Sequence, residues 1–150
     1  MTTIALTDLI DAIAADVEGN CDLPAHHRRL YAEPVLVTPD LTPMFAVYAW
    51  EADHDPMTTD AYTRTHHVRV GWAVDATFAL ETGGVGVEEQ ARAQLAVCER
   101  ITARLMTYLA AVPGTDNQLE GTVTKTTWRA VGQGALWRYE AHLRIEDLGA

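Results

Sequence analysis

The tightest constraint on this chain lies near its end, where Trp137, Tyr139, Ala141, Leu143 and Ile145 alternate with Arg138, Glu140, His142, Arg144 and Glu146. Side chains on a strand point alternately to opposite faces, so this segment reads as a strand with one apolar and one polar side. A slip of one residue would carry five polar groups into the core, which pins the register. The partner strand covers about 122–130 and joins it across Gly132-Gln133-Gly134. Just before this hairpin the spacing predicts a long helix over 87–112 that stops at Pro113-Gly114. Ala91, Leu95, Cys98, Ile101, Leu105, Leu109 and Val112 mark its buried stripe. Glu88 and Glu89 near its start and Arg100 and Arg104 towards its end suit the helix dipole.

The first half repeats this plan more loosely. Leu6, Leu9, Ile10, Ile13 and Val17 recur at helical spacing and predict a helix over 7–18, with Thr7 as N-cap and Gly19 as its C′ stop. Residues 20–43 hold Pro24, Pro34, Pro39 and Pro43 and read as irregular connection, with a short edge strand at Val35–Val37. Strands follow at 44–50 and 67–75, the second showing Val68, Val70, Trp72 and Val74 to one face and His67, Arg69, Gly71 and Ala73 to the other. The polar connection between them, about fifteen residues at 51–65, exceeds the usual hairpin loop. The expected fold is α+β in the order α-β-β-α-β-β, a single domain over 1–150. It has a mainly antiparallel four-stranded sheet, both helices on one face, and a long polar hairpin loop.

Charge narrows the partners. Residues 1–63 hold eleven acids against Arg28 and Arg29, whereas 64–150 hold ten acids against nine bases. A field of that sign repels phosphate backbones and anionic membranes, so neither nucleic acid nor membrane is expected as a direct partner. No apolar run approaches the ~20 residues that span a bilayer. The start, Met1-Thr2-Thr3-Ile4, lacks the basic residues of a secretory signal, and Cys21 and Cys98 have no metal-type spacing.

Chemistry-bearing motifs are sparse. The histidine pairs His26-His27 and His66-His67 and the triplet Asp53-His54-Asp55 offer ligands, but adjacent residues on a strand face opposite ways, so no metal site is expected. Gly83-Gly84-Val85-Gly86 precedes a helix without a Walker lysine and with Glu88-Glu89 behind it, a poor phosphate cradle. The chain has no serine. No catalytic residue and no cofactor are therefore expected. Trp50, Trp72, Trp128 and Trp137 all fall on predicted strands, where core packing is the default. Trp128 shares a face with Thr122, Thr124 and Thr126, opposite Val123, and is the candidate for an outward contact between subunits.

The N-terminal helix, the proline-rich connection, the hairpin ending in HHVRVGWAV, the long helix ending in VPG and the closing LWRYEAHLRIEDL strand form one layout. That layout resembles the tail terminator (tail completion) proteins of long-tailed bacteriophages. The resemblance implies a non-enzymatic virion protein that assembles with itself as a ring, usually of six subunits, on the head-proximal end of the tail. There it would stop tube growth and present a surface to the head connector, so the tail tube protein and a connector or neck protein are the implied partners. The family carries no transferable residue motif. The interaction candidates come from this chain's polar hairpin tip and outward aromatic: Asp53, His54, Asp55, Tyr62, Arg64 and Trp128. The tip at 51–65 is expected to project and touch the tube or a neighbouring subunit. Alternatives are another head–tail joining protein, such as a neck or stopper subunit, or a metal- or small-molecule-binding domain or enzyme built around His54 and His66.

Overall fold

The computed structural model describes residues 6–24, 27–33, 43–55, 63–75, 85–110, 119–131 and 136–147. In chain order the elements are α1 (Leu6–Asn20), β1 (Arg28–Leu30), β2 (Met44–Asp55), β3 (Thr63–Asp75), α2 (Val85–Ala110), β4 (Leu119–Val131) and β5 (Leu136–Asp147). The sheet order is β1-β2-β3-β5-β4. The α+β class and the one-sided helix layer hold. Among the described residues the sheet, however, has five strands and is mixed, because β1 pairs in parallel with β2 from Arg28↔Met44 to Leu30↔Ala46. Three residues carry too little pattern to announce a strand. The edge strand expected at 35–37 lies outside the described residues.

The central pair is β3 with β5, antiparallel and unbroken from Arg64↔Asp147 to Asp75↔Leu136. Its apolar side brings Val68, Val70, Trp72 and Val74 beside Leu143, Ala141, Tyr139 and Trp137, in the register that alternation demands. Leu9, Ile10, Ile13 and Val17 of α1 and Cys98, Ile101, Leu105 and Leu109 of α2 close over them in one core. Trp72 is fully buried, and its indole Nε1 donates to Gln94 Oε1 of α2 at 2.9 Å. The Tyr139 hydroxyl and Thr102 Oγ1 share a second bond of 2.6 Å between sheet and helix. Each satisfies a polar atom that burial would otherwise penalise.

Both helices shift slightly from their expected bounds. In α1, Thr7 lies inside the first turn and Gly19 within the helix, so neither performs the capping role assigned to it. The stop comes later, where the Asn20 side-chain amide donates to the Asp16 carbonyl at 2.7 Å and Asp22 takes a φ of 51°. Aspartate tolerates that left-handed conformation better than most side chains. Arg104 of α2 forks onto Asp16, with Nε to Oδ2 at 2.8 Å and Nη2 to Oδ1 at 2.6 Å, and joins the helices. Leu95, assigned to the buried stripe of α2, is 43% exposed, and Val97 is buried instead.

The hairpin tip is shorter than its polarity suggested. Pairing of β2 with β3 continues through Glu51↔His67 and Asp53↔Thr65 to Asp55↔Thr63, leaving only 56–62 as the connection. Acidic residues therefore complete the strands, and a deletion of 53–61 would remove part of β2 as well as the connection.

Gly121 on β4 sits where α2 crosses closest. A Cβ there would stand 2.7 Å from Leu109 Cδ2 and 3.2 Å from Leu109 Cβ. Gly19, inside α1, has nothing within 4 Å of the same position. In urea denaturation, Gly121→Ala should cost about 1–3 kcal/mol through overpacking. Gly19→Ala should gain about 0.5–1 kcal/mol through helix propensity.

Candidate functional site

Three features of the two sheet faces bear on function: a charged cluster, a bulge beside it, and an apolar groove at the far edge. The first is on the face turned away from the helices. Met44, Ala46, Tyr48, Ala73, Arg138 and Glu140 there are at most 4% exposed. Arg138 and Glu140, expected to face solvent with the other polar residues of the last strand, are thus buried on their own side. The Glu140 carboxylate accepts a bond of 2.6 Å from the Tyr48 hydroxyl and one of 2.9 Å from His142 Nε2. Arg69 stands 3.4 Å and Arg138 3.5 Å from it. Arg138 Nη1 donates at 2.8 Å to Glu33, just past β1, while its Nε has no partner among the described residues.

Burial alone would raise the Glu140 carboxyl, but the Tyr48 hydrogen bond and the Arg138 and Arg69 guanidiniums outweigh it and hold the group below the usual carboxylate range. Burial, followed by Arg69, holds the His142 imidazole below its usual value against the pull of Glu140. One carboxylate between two guanidiniums, with a tyrosine hydroxyl and an imidazole also on it, forms a structural clamp.

The second feature is a β-bulge at Trp50. Ala49 pairs with Val68 and Glu51 with His67, so Trp50 is the extra residue. Its indole, 51% exposed, is covered on one face by the Arg69 guanidinium at 3.7 Å, a cation–π contact. Beyond the bulge Glu51 and Asp53 share the second face with His67, whose Nε2 donates to Asp53 Oδ2 at 2.9 Å. His66 points the other way and is buried at 3% exposure, as the alternation of adjacent histidines requires.

The third feature surrounds Trp128. A second bulge, at Thr124 between the pairs Val123↔Leu143 and Lys125↔His142, shifts the rest of β4 by one residue. Trp128 therefore pairs with Tyr139 on the helix side of the sheet, the same side as Val123. Alternation without a bulge had put it on the opposite side, and a bulge has no reliable mark in the residues. Its ring packs 5.7 Å from that of Tyr139 and stays 46% exposed. With Leu95, Glu99, Thr102, Ala103, Met106 and Thr126 it lines an open groove of about 300 Å³. Leu95, which helical spacing had assigned to the buried stripe, is 43% exposed here, and Met106, 60% exposed, was not singled out by sequence.

Of the six interaction candidates, the two whose side chains are described, Asp53 and Trp128, lie on opposite faces of the sheet. Asp53 is exposed on the second face of β2. His54 and Asp55 also lie in β2, and Arg64 in β3 opposite His54, but their side chains fall outside the described set, as does all of Tyr62. Trp128 stands on the opposite face, three strand spacings or about 14 Å across the sheet. Both cysteines are free and buried, and burial pushes the Cys98 thiol up to about 12, far from reactive.

No protein-family model matches the sequence, and no curated protein matches it. Among solved structures the fold matches a chain from a structure of the virion of a native gene transfer agent (GTA) particle. The TM-score is 0.51 at 14% identity, covering 92% of this chain and 98% of that chain. At that identity the likeness establishes the fold.

The clamp makes stability pH-dependent. A lowered Glu140 contributes stability above its ordinary value of 4.5 that is lost as pH falls through the lowered one. A lowered His142 acts in the same sense below 6.5. Denaturation midpoints should therefore fall with acidification from about pH 6.5 downward. Glu140→Gln should cost about 3 kcal/mol at neutral pH by removing the buried charge that Arg69 and Arg138 share, and should flatten the lower part of the profile. Tyr48→Phe should cost about 1 kcal/mol.

Proposed function

We propose that this chain is a structural virion protein that forms a ring on the head-proximal end of a phage-type tail tube, ends tube growth and joins the tube to the head connector. Its place is then the virion tail, after synthesis in the host cytoplasm. Its partners are further copies of itself, the tail tube protein and a connector or neck protein. The observation that carries the reading is the fold likeness to a GTA virion chain over nearly the full length of both chains. The layout shared with tail terminators supports the finer assignment to the tail end.

The distribution of chemistry suits assembly. Closed rings use heterologous interfaces, in which one side of a subunit meets a different side of the next. Here α1, β1 and β2 bring the strongly acidic first part of the chain to one sheet edge, and β4 and α2 form the nearly neutral opposite edge. Two acidic edges repel, so head-to-tail contact is favoured over pairing of like edges. β4 is an edge strand, and unpaired edge groups are a template for another chain. The exposed Leu95, Met106 and Trp128 beside it supply the apolar centre that interfaces use. The hairpin tip at 51–65 is assigned to contact with the tube or a neighbouring subunit. No residue is given a catalytic role. Among the described residues no helix is long and apolar enough to cross a membrane.

Native mass spectrometry and negative-stain electron microscopy at rising protein concentration should show closed rings. A protein that stays monomeric throughout would contradict the reading. Replacing both Met106 and Trp128 with serine should leave the circular dichroism spectrum unchanged and abolish the rings. Rings that persist in this variant would remove the groove from the interface.

A further inference from the structure

The bulge at Trp50 decides which residues of β2 face outward, and its consequence is chemical. Without it, the parity set by Tyr48 would carry Trp50, Ala52 and His54 onto the second face. With it, Glu51 lies directly opposite His67, and Asp53 is the diagonal neighbour on the same face. Diagonal pairs are within reach of long side chains. His67 Nε2 stands 2.9 Å from Asp53 Oδ2 and 3.8 Å from Glu51 Oε1, and the three ligand atoms all lie within 4.8 Å of one another.

We propose that Glu51, Asp53 and His67 form a binding site for a divalent transition-metal ion of the zinc class. Zinc bonds imidazole nitrogen and carboxylate oxygen at about 2.0–2.2 Å, which for tetrahedral angles places ligand atoms about 3.4 Å apart. The two distances to His67 bracket that spacing, so small side-chain rotations on a fixed backbone complete the set. The backbone is held because Glu51 and Asp53 lie in the paired stretch of β2 with β3, and β3 is paired in turn with β5. One imidazole and two carboxylates favour zinc over calcium and magnesium, which take oxygen ligands. Three protein ligands leave a position open to water or to a group from a neighbouring molecule. The adjoining hollow, lined by Trp50, Arg69, Thr124 and His142, gives that position room. Binding exchanges the His67 Nε2–H bond to Asp53 for a nitrogen–metal bond, with the neutral imidazole carrying its one proton on Nδ1 instead. The proposal stands apart from the assembly role above and needs no ring.

Tag-free protein should be titrated with zinc, calcium and magnesium by calorimetry at about pH 7.5, because metal affinity depends on pH. One equivalent of zinc should bind, and calcium and magnesium far more weakly. His67→Ala should weaken zinc binding by more than the about 10–100-fold that loss of an outer-shell partner costs, with Asp53→Asn and Glu51→Gln weaker than wild type. His54→Ala should bind as wild type, and circular dichroism should report all four variants folded. Absence of zinc binding in the wild type would overturn the proposal. So would His67→Ala binding unchanged, or calcium binding as tightly as zinc.

Discussion

The pairing of β3 with β5 is the constraint on which the rest of the structure depends. Twelve consecutive partners, from Arg64↔Asp147 to Asp75↔Leu136, hold it without a bulge. Because it is straight, its two faces separate cleanly. One face stacks Trp72 on Tyr139 and Val68 on Leu143 beneath the helices, and the other sets Arg69 beside His142 and Glu140. Burial of the first face drives folding. The second is buried in part too, at the cost of desolvating Arg138 and Glu140, and the clamp around Glu140 offsets that cost. Buried ion pairs add little net stability over apolar packing, but removing one partner leaves the others stranded. The clamp therefore specifies how the second face is arranged more than it strengthens the fold.

The outer strands deviate from this straight pair, and their deviations place the candidate sites. The bulge in β2 sets Glu51 and Asp53 beside His67, and the bulge in β4 returns Trp128 to the helix side beside Met106 and Leu95. Each bulge lies on the outer member of a pair, where extra length is accommodated without breaking the centre.

This division explains what could be read from the residues. Strict alternation at 137–145 and 68–74 made both central strands and their inward faces legible, and the spacing from Cys98 to Leu109 did the same for α2. β1 escaped because three residues carry no period. The ends of β2 and β3 escaped because Glu51, Asp53 and Thr65 are polar, and polarity beside a proline resembles a loop more than an exposed strand. The side of Trp128 was misassigned because alternation assumes that no residue is inserted, and Thr124 is such a residue. Of the candidate site, the aromatic was visible as a residue, but its partners on α2 depend on tertiary placement.

A continuous central pair with the candidate sites displaced to the outer strands suits the proposed role in assembly. The assigned role depends on one claim of location, that the protein occupies the head-proximal end of a tail. Electron microscopy of purified particles with an antibody against this chain tests it most directly. The account predicts label at the junction of head and tail on intact particles and at one end only of detached tails. Label along the tube, at the distal tip or on the head shell, or its absence from purified particles, would contradict it.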